Sequence, residues 1–344
     1  MKIAIANAQV PFVQGGAESL AVNLKKALCD EGFDVDIITA PFKFGPPAEI
    51  HKSMEFWSNN NFSSFDAGKV DQVVCLKFPT YGLEHPLKSL WLLHQHRPVY
   101  DLWDYFEKNG HTWSEEDIEL KDRILGFDET HLKSIKKRFT IADNVTERLL
   151  KYCKINANTL YHPPPLLPHN RCFDPYFLCP SRVEPLKRQE LVIEALKFTK
   201  QDVKVIFTGT GSNLTYLKAK ALEAGVASRV TWSGYAQAED LIRLYSQCLG
   251  VLFCPLDEDY GYVTLEAMHA RKPVVTLDDS GGPLEFVQNE VSGLICSKDP
   301  QRLAIALDRL FVDKALAKKM GSRGKEIYDS LNLSWKNVVE KIIH

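Results

Sequence analysis

Apolar residues in this chain fall in short continuous runs, separated by stretches where they recur every three or four positions. That is the pattern of buried parallel strands alternating with amphipathic helices. Lys2–Ala8 predicts a strand, Gln9–Gly16 a loop, and Ala17–Glu31 a helix with Leu20, Leu24, Ala27 and Leu28 on one face and Gly32 as its stop. Val35–Thr39 predicts the next strand, which completes a βαβ unit with a right-handed crossover. Further strands are expected at Gln72–Phe78, Ser89–His94, Arg138–Ile141 and Thr159–Tyr161. Two stretches do not fit the alternation: Pro41–Gly68, rich in aromatic residues, and Trp103–Leu132, highly charged with helical character. Insertions of that length in an α/β domain are expected to shape the site of a second substrate.

The pattern breaks at His162-Pro-Pro-Pro165 and Pro168, because such a proline run continues neither a helix nor a central strand. This sets the expected boundary between a domain over 1–168 and one over 169–329. A second series then predicts strands at Phe177–Ser181, Val203–Gly209, Val230–Gly234, Gly250–Pro255, Pro273–Leu277 and Leu294–Cys296. Helices are expected between them at Lys187–Thr199, Ser212–Ala224, Ala238–Gln247 and Val263–Ala270, with a short one after Leu277. The tail from Pro300 reads as helical, and Trp335, Val338, Val339 and Ile342 give its last piece, within about 330–344, a face that packs back on the first domain. Alternation at this spacing means α/β architecture with doubly wound parallel sheets.

At 344 residues the chain exceeds the usual span of one hydrophobic core, consistent with two domains. A formal net charge of −2 supplies no overall field for wrapping nucleic acid, which is disfavoured, so no nucleic-acid partner is expected. The eight cysteines form no C-x-x-C pair and mostly lie in apolar runs, as reduced core residues do. The opening Lys2-Ile-Ala-Ile-Ala is too short and too quickly polar for a secretory apolar region, and no apolar stretch of membrane-spanning length follows. A cytoplasmic protein is expected.

Candidate chemistry concentrates at Glu258-Asp-Tyr-Gly-Tyr-Val-Thr-Leu-Glu266, a loop at a strand's carboxyl end running into a helix. Gly261 allows close approach of backbone N–H groups, the helix offers its positive end to an anion, and the two carboxylates flank the spot. A phosphorylated sugar suits this layout. Arg182 and Lys187 follow the strand Phe177–Ser181, and His94 and His96 follow the apolar run Leu90–Leu93. Taken singly, each of these also reads as ordinary surface or helix-start chemistry.

As an ordered set, Gly15-Gly16-Ala17-Glu18, His94-Gln-His96, Arg182-x4-Lys187, Thr208-Gly-Thr-Gly211 and Glu258-x7-Glu266 with Tyr260-Gly261-Tyr262-Val263 resemble glycosyltransferase family 4. The resemblance covers nearly all of the second half, and in the first half the opening loop, the histidine segment and the last strands. It implies a GT-B fold, in which two Rossmann-like domains face each other across a cleft, and a retaining hexosyltransferase using a nucleotide diphosphate sugar. Such enzymes serve polysaccharide or glycoconjugate biosynthesis. Glu258 is implied to contact the donor sugar hydroxyls and Glu266 the ribose. Tyr260, Gly261, Tyr262 and Val263 are implied to hold phosphate and sugar through the backbone. Arg182 and Lys187 are implied to stabilise the departing diphosphate, and His96 to reach the donor sugar, with His94 as the substitute. Gly15 and Gly16 would approach an anion or the acceptor. Gly234 and Tyr235 would border the base, and Gly281-Gly282-Pro283 would shape the cleft floor. UDP and glucose are the expected nucleotide and sugar. The acceptor class is a sugar, glycan or lipid-linked hydroxyl.

Asp34-x-Asp36 and Asp257-x-Asp259 imitate a metal-binding pattern of another transferase fold. The first pair flanks a strand away from the carboxyl edge and the second overlaps the Glu258 motif, so no required metal or other cofactor is expected. The basic run His131–Arg138 reads either as a solvated helix face or as a weak contact to the inner face of a membrane. Two rival functions stay open: a nucleotide-sugar epimerase on the same fold, and a non-catalytic sugar-nucleotide binding module.

Overall fold

The computed structural model describes Met1–Val13 and Gly15–His344, and the chain divides into two compact units. The predicted loop over Gln9–Gly16 includes residue 14, which lies outside the described residues.

Met1–His162 and Ser334–His344 make the first unit. Its elements run β1 (Lys2–Gln9), α1 (Gly16–Asp30), β2 (Asp34–Pro41), α2 (Pro47–Asn59), a small antiparallel ribbon of β3 (Ser64–Phe65) and β4 (Gly68–Lys69), then β5 (Gln72–Cys75) and β6 (Lys88–Leu92). These are followed by α3 (Asp101–Lys108), α4 (Glu115–Ser134), β7 (Lys137–Thr140), α5 (Asp143–Cys153) and β8 (Asn158–Thr159). Six parallel strands form the sheet in the order β2-β1-β5-β6-β7-β8, with Ile5 beside Ile37 on one side and Val74 on the other. Ile5, Leu20, Leu24, Val74, Leu90 and Trp91 are fully or almost fully buried, which is why these strands read as continuous apolar runs.

Both stretches that resisted assignment hold helices. In the aromatic one, Pro47 starts α2 at a position where its missing N–H costs nothing, and Ile50, Met54 and Trp57 are buried at helical spacing. In the charged one, α3 and α4 are separated by a turn where Trp103 and Trp113 stack at 3.8 Å, and Ser114 and Asp117 form a capping box at the start of α4. α5 has no counterpart among the expected helices, although Val145 and Leu149 are buried one turn apart on it.

Pro163–Leu333 make the second unit. It runs β9 (Tyr176–Pro180), α6 (Gln189–Leu196), β10 (Lys204–Thr208), α7 (Leu214–Glu223), β11 (Val230–Trp232), α8 (Ala238–Gln247), β12 (Gly250–Leu252), α9 (Tyr262–His269), β13 (Val274–Leu277), the one-turn α10 (Pro283–Phe286), β14 (Gly293–Cys296), α11 (Pro300–Val312) and α12 (Lys314–Ser330). The strands are parallel in the order β11-β10-β9-β12-β13-β14. The final helix, α13 (Trp335–Ile343), belongs to the first unit, where Val338, Val339 and Ile342 are buried and the Ile342 carbonyl accepts from Gln72 Nε2 at 3.0 Å.

All eight cysteines are free thiols, and five of them, Cys75, Cys179, Cys248, Cys254 and Cys296, are buried; Cys29 is exposed. No helix among the described residues is long and apolar enough to cross a membrane.

Candidate active site

In the second sheet, β10 and β12 lie on opposite sides of β9, so the chain's winding reverses there. Loops diverge at such a switch point and leave a crevice at the carboxyl ends of the strands. Arg182 and Lys187 lie in the loop after β9, and Glu258 in the loop after β12. The fold thus brings Lys187 to Glu258, 71 positions further along the chain.

Their meeting is direct. Lys187 Nζ donates to Glu258 Oε2, with the lysine side chain 15% and the glutamate 23% exposed. Lys187 also lies over the Phe253 ring, 5.6 Å from its centre. Arg182 is exposed, and among the described residues its side chain makes no ion pair. The backbone around Arg182 is fixed all the same. Gln189 Nε2 donates to the Arg182 carbonyl and to Ser181 Oγ, both at 2.8 Å.

The Glu258 loop is held from two directions. Backbone N–H groups of Leu256, Asp257 and Glu258 donate to the carbonyls of Leu186, Asp279 and Ser280 at 2.8, 2.9 and 2.9 Å, while Gly282 N–H donates to the Glu258 carbonyl at 2.8 Å. Gly282 is required there, since a Cβ would stand 2.7 and 2.9 Å from the carbonyl oxygens of Asp259 and Tyr260. The predicted Gly281-Gly282-Pro283 turn therefore backs the Glu258 loop. Gly261 has φ 82°, the left-handed region glycine tolerates, and caps α9 ahead of Tyr262 and Val263. Tyr260 is buried and packs edge-on against Tyr262 and Phe286.

Arg188, next to Lys187, is not among the residues the sequence motifs single out, yet the fold gives it a central place. It is buried and left-handed at φ 52°, and its guanidinium donates to both oxygens of Asp279 at 2.7 and 2.5 Å and to the carbonyls of Cys254 and Pro255. This planar fork ties the start of α6 to the loop that presents Glu258. No local pattern marks it, because Asp279 is 91 residues away.

Glu266 lies one turn inside α9, only 5% exposed, and accepts from the Tyr245 hydroxyl at 2.7 Å. Burial pushes its carboxyl up to about 7, against the opposing pull of hydrogen bonds from Tyr245 and the Leu166 backbone. The two glutamates of the motif thus occupy different environments: Glu258 is partly exposed and paired with a cation, Glu266 buried and paired with a phenol.

The loop after β10 closes on the same edge. Gly209, at φ 102°, leaves no room for a Cβ against the Ser181 carbonyl, and its N–H donates to the Gly234 carbonyl at 2.6 Å. Gly234, at φ 66°, and the exposed Tyr235 therefore adjoin the Arg182 loop through Gly209.

In the first unit, Gly15 and Gly16 open α1 after β1, at that sheet's own reversal between β2 and β5. Glu18, in the first turn, stands 3.6 Å from Lys77 Nζ. His96 follows β6 and is 4% exposed, enclosed by the rings of Phe42, Phe44 and Phe78 at 6.1, 6.2 and 5.0 Å. Burial, with His94 adding to it, pushes its imidazole down to about 3, so the ring is neutral at physiological pH. Asp34 and Asp36 sit on β2, with Asp36 paired to Lys25.

Residues 172–327 match the family described as glycosyl transferases group 1. The chain is 30% identical over 161 residues to human alpha-1,3/1,6-mannosyltransferase ALG2, a match covering 42% of this chain and 38% of that protein. It is 32% identical over 164 residues to the Mycobacterium tuberculosis GDP-mannose-dependent alpha-(1-6)-phosphatidylinositol monomannoside mannosyltransferase, covering 44% of this chain and 42% of that one. The matched region thus spans about two fifths of the length of these curated relatives. Among solved structures, sucrose-phosphate synthase from Thermosynechococcus elongatus superimposes with a TM-score of 0.75 at 18% identity, over 99% of this chain and 97% of that one. A second half matching the family model, a whole chain with the fold, and Lys187 and Glu258 meeting at one sheet's switch point agree: residues 172–327 form a glycosyl transferases group 1 region, like that of GT4-type glycosyltransferases, in a chain of GT-B fold.

Proposed function

We propose that this protein transfers a hexose from a nucleotide diphosphate sugar to an acceptor hydroxyl with retention of anomeric configuration. The observation that carries the reading is the Lys187–Glu258 contact across the two loops of the switch point. It pairs a phosphate-binding cation with a hydroxyl-binding carboxylate at the spot where the sugar–phosphate bond would lie. Without ligand the two neutralise each other. A donor diphosphate competes for Lys187, and the released Glu258 then accepts from sugar hydroxyls.

Departure of the nucleoside diphosphate builds charge on its terminal phosphate, and Arg182 with Lys187 stabilises that charge more in the transition state than in the ground state. The acceptor oxygen bonds to the anomeric carbon as the carbon–phosphate-oxygen bond breaks, and the acceptor's proton passes to the departing phosphate oxygen on the same face. Two cations serve where other transferases use a divalent ion, so no metal is required. Glu266 with the α9 backbone at Tyr260–Val263 takes the ribose and phosphate, Gly234 and Tyr235 border the base, and Gly15, Gly16 and His96 serve the acceptor and sugar.

The 32% identical relative is described as GDP-mannose-dependent, which makes GDP-mannose the first donor to test, with UDP-glucose as the second. That relative's name also supports a lipid-linked or glycan acceptor. The test is a donor screen: protein is incubated with GDP-mannose, UDP-glucose and ADP-glucose, with and without acceptor, and released nucleotide and changed sugar are measured. Acceptor-dependent release from one donor supports transfer. A changed sugar with no acceptor would make the protein an epimerase, and binding without turnover a sugar-nucleotide binding module.

A further inference from the structure

At the opposite, amino edge of the second sheet, the segments leading into β9 and β13 and the first turns of α12 surround a cavity of about 710 Å³. Arg171, Arg271, Lys314 and Lys318 line it beside Phe173 and Ser322, and no carboxylate does. We propose that this pocket binds a multiply charged phosphate-bearing ligand, at a site separate from the Arg182–Lys187 loop.

Three observations carry the assignment. The first is that the charge is unspent. Among the described residues none of the four lining cations takes part in an ion pair, whereas further along α12 Arg323 pairs with Glu326 and Lys325 with Asp329. Four like charges around one concavity repel each other, and field lines focused by its low-dielectric walls hold a positive potential there until an anion arrives.

The second is that the walls are built. Gly321 presses α12 onto the Arg271 carbonyl, where a Cβ would stand 2.0 Å away, and Arg271 itself is left-handed at φ 57°. Beneath, the fully buried Lys272 donates to Asn170 Oδ1 at 2.7 Å and to the Cys172 carbonyl, and lies 3.8 Å from the centre of the Phe173 ring. Lys318 reaches the same ring at 5.8 Å. The carboxylate that acts on Lys272 and Cys172, Asp174, is not part of the lining.

The third is the placement of Lys314 and Lys318. They stand one turn apart on one face of α12, in its first two turns, with no acidic residue in the first turn. Asp313 at the N-cap accepts from the Leu316 N–H at 2.8 Å and answers the helix dipole, but it lies outside the lining and, among the described residues, pairs with neither lysine. Two arginine forks and two lysine ammonium groups suit at least two phosphate-type charges.

The ligand is either a soluble phosphate ester or an anionic lipid headgroup, and two probes separate them. In the full chain carrying Arg182→Ala and Lys187→Ala, which disables the donor loop, inorganic tripolyphosphate binding is measured by calorimetry. Pelleting with phosphatidylcholine–phosphatidylglycerol vesicles is measured beside it. The expected result is that at least one probe still binds and that adding Lys314→Glu and Lys318→Glu weakens it about tenfold or more. Loss with tripolyphosphate assigns a soluble ligand, and loss confined to vesicles assigns the headgroup. Both lysines are exposed, and an unchanged circular dichroism melt, or the milder alanine pair, shows that the fold is retained. No binding of either probe, or binding that the glutamate pair leaves unaltered, overturns the proposal.

Discussion

The two units carry the same parallel sheet with the same kind of reversal, yet their carboxyl edges differ in chemistry. In the second unit that edge is assembled by charge: Lys187 meets Glu258, Arg188 grips Asp279, and glycines let loop backbones touch. In the first unit the edge residue of interest, His96, is wrapped in phenylalanine rings and held neutral. A common architecture therefore leaves the chemistry to the loops. Polar, backbone-lined loops suit a nucleotide sugar, and an aromatic enclosure suits the apolar face of a second substrate.

Substitutions can break this contrast in order of expected effect. Arg188→Ala leaves two buried loop carbonyls without their donor and the partly exposed Asp279 without its cation, and urea denaturation should show a loss of about 2–3 kcal/mol. Arg188→Lys should recover only part, because one ammonium does not span the fork. In the first unit His96 is enclosed by rings and carries no charge, so His96→Gln leaves no ion without its partner and should cost far less stability. On the proposed reaction, Lys187→Ala removes a transition-state contact and should reduce kcat by about 10²–10³-fold with melting little changed. Glu258→Ala should abolish transfer while a nucleotide diphosphate still binds, which separates its role from that of Glu266.

Glu266 gives a pH test. Its folded-state carboxyl is raised to about 7 from an ordinary 4.5, so the folded protein holds a proton that the unfolded chain releases between those values. Stability is therefore highest below about 4.5 for this group and falls as pH rises towards 7. Glu266→Gln should flatten that decline by roughly 1–3 kcal/mol in denaturant titrations at pH 5 and 7.5. His96 acts with the opposite sign, since its lowered value costs stability as pH falls below 6.5, and His96→Gln should flatten that limb. The smallest effect is expected at Phe44, 64% exposed and stacked on His96: Phe44→Ala should leave the melt nearly unchanged and raise KM for acceptor rather than donor.

The same contrast explains what the sequence makes legible. Strands buried on both faces show as apolar runs, so the alternating series of the second unit is readable to within a few residues, and Glu258, Lys187 and Arg182 stand at its strand ends. Position is readable there because short loops follow the strands. The Arg188–Asp279 clamp is not, since it joins positions 91 apart through side-chain geometry alone. Nor is the burial of Glu266, whose partner Tyr245 lies on a different helix. In the first unit, α2 and α5 escape notice because aromatic and charged residues interrupt their faces. The helical spacing of Ile50, Met54 and Trp57 is visible once the Pro47 start is recognised.

On the proposed function, the loops after β9 and β12 receive an activated sugar, with Arg182 and Lys187 on its diphosphate. A crystal structure with bound GDP or UDP tests it most directly. The Lys187–Glu258 contact is expected to be open, with both cations within hydrogen-bonding distance of the terminal phosphate. A diphosphate bound elsewhere, with Lys187 still on Glu258, would contradict it.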